Sequence, residues 1–79
     1  YPNPFNPTTT INFSLPKEDF VNVTVFNTLG EKVANLLDGV MSSGSHELKF
    51  DASGFASGLY ILKMTAGIFS KTIKMNLMK

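Results

Sequence analysis

Apolar and polar residues alternate in short runs along this chain, with a period of two almost throughout. Ile11-Asn12-Phe13-Ser14-Leu15 alternates up to Pro16, whose missing N–H ends a strand. Lys17-Glu18-Asp19 then makes a charged turn. Val21, Val23 and Val25 oppose Asn22, Thr24 and Phe26, and β-branched side chains suit a pleated surface. Leu29-Gly30-Glu31 supplies a reversal. Lys32 to Leu37 follows as a third strand, which the turn dipeptide Asp38-Gly39 is expected to close. The adjacent Leu36 and Leu37 break the alternation and point to a bulge or a sheet edge.

Ser42-Ser43-Gly44-Ser45 reads as a loop. Beyond it His46, Leu48 and Phe50 share one face, with Ser45, Glu47 and Lys49 on the other. Asp51 to Ser57 is irregular. Tyr60, Leu62 and Met64 oppose Ile61, Lys63 and Thr65, and Ala66-Gly67 turns tightly into a last strand. There Ile73, Met75 and Leu77 oppose Thr72, Lys74, Asn76 and Met78. No stretch sustains a 3.6-residue period, so no substantial helix is expected. The pattern predicts an all-β chain, a small antiparallel Ig-like β-sandwich of six to seven strands. Its expected core is Phe13, Leu15, Val21, Val23, Val25, Val33, Leu37, Leu48, Phe50, Tyr60, Leu62, Met64, Ile73, Met75 and Leu77.

The start of the chain breaks this pattern. Pro2, Pro4 and Pro7 lack the donor N–H and push the residues before them toward extended geometry. Residues 1–9 therefore read as a proline-rich junction with something upstream, and residues 10–79 as the β-sandwich. On this reading the chain is a piece cut from a longer protein.

Composition narrows the function. Seventy-nine residues make one domain at most. Seven lysines against six acids leave a net charge of +1, which gives no case for nucleic acid. With no cysteine there is neither a disulfide nor a thiolate metal site. No apolar run approaches the roughly 18 residues that span a bilayer as a helix.

Catalytic, cofactor and metal readings find no support. The single histidine, His46, has no Cys or Ser–Asp pattern beside it and shares parity with Leu48 and Phe50, which suits the rim of a core. Glu18, Asp19, Glu31, Asp38, Glu47 and Asp51 stand singly, mostly at turns, where a calcium loop would converge several oxygens. The serines at 42–45 lack a nucleophile elbow, and the glycines form no phosphate-binding pattern. The acceptor triplets Asn12-Phe13-Ser14 and Asn22-Val23-Thr24 fall inside strands. Phe20, Phe26, Tyr60 and Phe69 raise an alternative, a non-catalytic carbohydrate-binding or Ig-like accessory module of an extracellular enzyme. Phe20 and Phe26 could form an outer patch. Coverage by a second apolar layer is the favoured reading, because large exposed apolar patches are unusual. Lys71, Lys74 and Lys79 punctuate the last strand, either to protect an edge from aggregation or to be read by a receptor through strand addition.

Several short motifs occur in a fixed order: Tyr1-Pro2-Asn3-Pro4, Leu29-Gly30-Glu31, Ser57-Gly58-Leu59-Tyr60, and the lysine-bearing end from Lys71 to Lys79. Together they resemble the C-terminal sorting domain, type A, of proteins exported by the type IX (Por) secretion system of Bacteroidetes and related bacteria. The resemblance covers essentially the whole chain. It implies a signal that directs an attached cargo through the outer membrane, followed by cleavage. The implied partners are an upstream cargo domain in the same chain, the type IX translocon and a sortase-like protease. No cofactor, nucleic acid or small-molecule substrate is implied, nor any membrane-spanning segment. The implied location is the periplasm in transit, then the cell surface or the medium. Residue by residue, Pro2, Asn3 and Pro4 would mark the cargo junction. Gly30 would hold the first turn, Gly58 and Tyr60 the Gly-x-Tyr strand, and Lys71, Lys74 and Lys79 the terminal signal strand.

Overall fold

A computed structural model of the chain describes residues 8–77. Six strands carry them: β1 (Thr8–Leu15), β2 (Asp19–Phe26), β3 (Lys32–Met41), β4 (Gly44–Asp51), β5 (Gly58–Ala66) and β6 (Phe69–Leu77). All pairings are antiparallel. β1 and β4 form a two-stranded sheet, and the other sheet has four strands in the order β3-β2-β5-β6. Their facing side chains make one core, so the expected small β-sandwich is what the chain adopts. β1 begins at Thr8, so Thr8 and Thr9 lie opposite Asp51 and Phe50.

Register puts the alternation to use. Val21, Val23 and Val25 of β2 lie opposite Ala66, Met64 and Leu62 of β5. Across β5, Leu62 and Tyr60 lie opposite Ile73 and Met75 of β6. The inner face of β1–β4 contributes Ile11, Leu15 and Phe50. The three valines and Leu62 are fully buried, each worth roughly 1.5–3 kcal/mol of transfer free energy. Ile11, Ala52 and Ala66 join the core although the alternation did not single them out.

Three sequence expectations fail, and the edge strand β3 explains two of them. Asp38-Gly39 is not a turn, because β3 runs on to Met41 with Asp38 opposite Asn22 and Gly39 opposite Val21. Stopping there would leave Asp19 to Val21 without partners on that side. The Asp38 carboxylate instead accepts a hydrogen bond of 3.1 Å from the Asn22 side-chain amide. Val33 is 37% exposed and outside the core. The register shifts twice along this pair, which leaves Leu36 and Val33 as the extra residues. The first bulge lets the adjacent Leu36 and Leu37 both pack against the core. The second carries Val33 off the inner face. In the third failure, Gly44 and Ser45 belong to β4, and the loop shrinks to Ser42-Ser43. Gly44 makes that sharp entry possible at φ +110.

Candidate recognition surface

The Ser57-Gly58-Leu59-Tyr60 motif forms the entry to β5. Gly58 opens the strand at φ +149, and a β-carbon there would meet nothing within 4 Å, so backbone conformation alone requires the glycine. Two residues on, Tyr60 is buried, and its hydroxyl donates to the carbonyl of Ala56 at 2.8 Å. This is the tie of a tyrosine corner, a device of immunoglobulin-type sandwiches. The Tyr60 ring lies 5.7 Å from Phe55, which in turn sits edge-on to Phe50 at 5.4 Å. The irregular segment after β4 is thus pinned from both sides. Gly58 and Tyr60 hold the fold, and Tyr60 presents almost no surface to a partner.

The β2–β3 turn is held by a residue that the motif reading passed over. Asn27 accepts hydrogen bonds at its side-chain oxygen from the N–H groups of Leu29 (2.9 Å) and Glu31 (3.0 Å). Its amide donates to the Glu31 carboxylate at 2.8 Å. Gly30, at φ +83, completes the reversal. An Asn placed three residues before a Gly is the signal that could have identified it. Leu29 at the tip is 81% exposed.

β6 is an edge strand, so its outer row of backbone groups has no partner among the described residues. Lys71 and Lys74 are both exposed on it. They do not share a face. Lys71 lies opposite Met64 and has the inner-face parity of Ile73, whereas Lys74 lies opposite Ile61 on the outer face. Lysines on both faces of an open edge discourage edge-to-edge association, and they also give a partner two cations to read. Pro2, Asn3, Pro4 and Lys79 lie outside the described residues.

The aromatic residues do not form a platform. Phe20 is 51% exposed and Phe26 half-buried on the outer face, so no second apolar layer covers them as the sequence had suggested. Between them runs a polar ladder. Thr24 donates to Asn22 at 2.7 Å, and Asn35 donates to Thr24 at 3.1 Å. Phe69, 54% exposed, has inner-face parity with Lys71 and Ile73. A sugar-stacking row needs exposed rings side by side, and these lie apart on two faces. His46 is half-buried, its ring 5.3 Å from Phe13 and its Nε2 2.7 Å from the Ser42 carbonyl oxygen. That is the rim position expected of it.

Comparison with known proteins gives one match. The family model described as secretion system C-terminal sorting domain aligns with residues 1–77. Neither the curated proteins nor the solved structures contain a match.

Proposed function

The chain belongs to the secretion system C-terminal sorting domain family, a C-terminal sorting signal for type IX secretion, and from that premise we propose how this domain does its work. Membership implies action with the type IX machinery on an attached upstream cargo, and export to the cell surface or extracellular space. No helix among the described residues is long and apolar enough to cross a membrane. Domains of this family are in general non-catalytic.

In our reading the translocon engages the open edge of β6, with Lys71 and Lys74 as the cations it reads. Residues 1–9 form the joint to the cargo, and a sortase-like protease cuts there on the far side. The reading rests above all on the family match, which spans both the proline joint and all six strands. The edge position of β6 supports its finer part, because an open ladder is the surface that strand addition uses. A folded tag suits a machine that must accept many cargoes, since it presents the same edge whatever precedes it.

The test is a fusion of residues 1–79 behind a periplasm-targeted fluorescent protein in a bacterium with a working type IX apparatus. Deleting residues 71–79 would strip Ile73, Met75 and Leu77 from the core and confuse recognition with folding. The double variant Lys71→Glu, Lys74→Glu leaves the core side chains in place. Export of the parent fusion and periplasmic retention of the folded double variant is the expected result. Equal export of both would refute the role given to the lysines, and retention of the parent would refute the sorting reading itself.

A further inference from the structure

Four sheet edges are open among the described residues, one each on β1, β3, β4 and β6. Three of them carry devices that blunt an edge. β3 has Lys32, Asp38 and two bulges, β4 has Glu47 and Lys49, and β6 has Lys71 and Lys74. β1 is different. Thr8–Leu15 contains no charge, proline or glycine, and its eight pairs with β4 run without a shift. It is a long, regular, uncharged strand edge, the kind that templates another strand.

The space beside it has a matching shape. Two strands cover four, so part of the inner face of the larger sheet is left bare. A cleft of about 640 Å³ lies there, with Ile11, Phe13 and His46 from the small sheet above Leu62, Met64 and Ile73. A second cleft of about 610 Å³ continues past the end of β1 and shares Ser14, Met64 and Phe69 with the first. Its lining includes β1 but no residue of β4, which puts the opening on the β1 side. Lys71 is the one cation in the wall of the first cleft.

We propose that the free edge of β1 and the cleft below it form a slot for one extended strand from a partner protein. That strand has apolar side chains at alternate inward positions and a carboxylate placed to meet Lys71. The slot goes beyond recognition of the β6 edge and does not depend on it.

Geometry selects a lone strand over a second copy of this domain. Strands in a sheet are spaced about 4.8 Å apart, so four strands centred under two overhang by about 5 Å on each side. One added strand fills that overhang and buries Ile73 and the exposed Phe69. If two copies paired β1 to β1, their β6 overhangs would have to share a gap of about one strand spacing, and they collide. Residues 1–7 are poor candidates as well, because Pro2, Pro4 and Pro7 cannot donate to a ladder.

The experiment titrates the isotope-labelled 79-residue chain with a heptapeptide, followed by NMR. Its outward positions are threonine, and its three inward positions are valine, glutamate and valine. The expected result is shift changes confined to β1, β6 and the cleft, with new exchange protection of the β1 amides not bonded to β4. A peptide with proline at its centre does not bind. Lys71→Glu weakens binding about fivefold, as removal and reversal of a partly exposed ion pair should. The same variant prefers the peptide with lysine in place of glutamate.

Several results would overturn the proposal. They are no shifts at millimolar peptide, equal binding of the proline peptide, and shifts lying away from β1 and β6. Protection of the outward β1 amides in the free chain would overturn it too, because the edge would then already be held by this chain or a second copy. None of these readings requires export, so failure here leaves the sorting function untouched.

Discussion

Replacing Tyr60 with phenylalanine tests whether the Gly-x-Tyr motif serves the fold or the receptor. The change removes one oxygen and keeps the ring, so packing against Phe55 at 5.7 Å is retained. What goes is the 2.8 Å hydrogen bond to the Ala56 carbonyl. A net hydrogen bond contributes roughly 0.5–1.5 kcal/mol, and a carbonyl left without its donor costs about as much again if water cannot reach it. Ala56 itself is exposed, so water can recover part of the loss and the expected destabilisation is about 1.5 kcal/mol. An unfolding entropy near 2.1 cal/mol/K per residue gives this 79-residue chain about 0.17 kcal/mol/K, which converts the loss to a Tm drop of about 9 °C. Differential scanning calorimetry on parent and variant measures it. The variant should still be exported at temperatures where it is folded, because the hydroxyl points into the domain. A Tm within a degree of the parent would refute the tie. Lost export in a variant of parental stability would show that the machinery reads the hydroxyl.

The glycines should divide by backbone conformation. Gly58→Ala, at φ +149, should cost about 1–3 kcal/mol although the site has room. Gly39→Ala, in a strand with no positive φ and equal room, should be neutral or stabilise by about 0.4–1 kcal/mol. Urea unfolding of the pair reads the contrast, and equal effects would sink the argument. Gly67→Ala combines a positive φ with a β-carbon 2.5 Å from an Asp19 carboxylate oxygen, so it should cost more than a backbone-only site such as Gly30. Asn27→Ala should lower stability by about 1 kcal/mol through loss of its bonds to Leu29, Glu31 and the Glu31 carboxylate. Amide exchange in that variant should quicken at residues 29–31 and stay unchanged at the Tyr60 corner.

Much of the fold was legible because a period of two is a local signal, and β2, β5 and β6 obey it without interruption. Local signals failed where pairing decided the outcome. Asp38-Gly39 is a turn pair by chemistry, yet β2 needed partners as far as Asp19, and the ladder kept the pair extended. Leu36-Leu37 announced a bulge correctly, but nothing local announced the second one that exposes Val33. The outer face was misread for a similar reason. Phe20 and Phe26 suggested a covering layer, whereas the chain spends its remaining two strands on the inner face.

The candidate surface was legible in composition and not in placement. The terminal lysines could be seen in the sequence, but whether β6 lay at an edge depended on strand order, which alternation does not encode. Their division matters most. Lys71 shares parity with Ile73 and would be buried by a fully covered sandwich, an unfavourable place for an unpaired ammonium group. It remains exposed because the covering sheet is two strands narrower than the one below. The deficit that the sequence could not announce therefore keeps Lys71 available, and it leaves the edge of β1 and the face of β6 open on the same side.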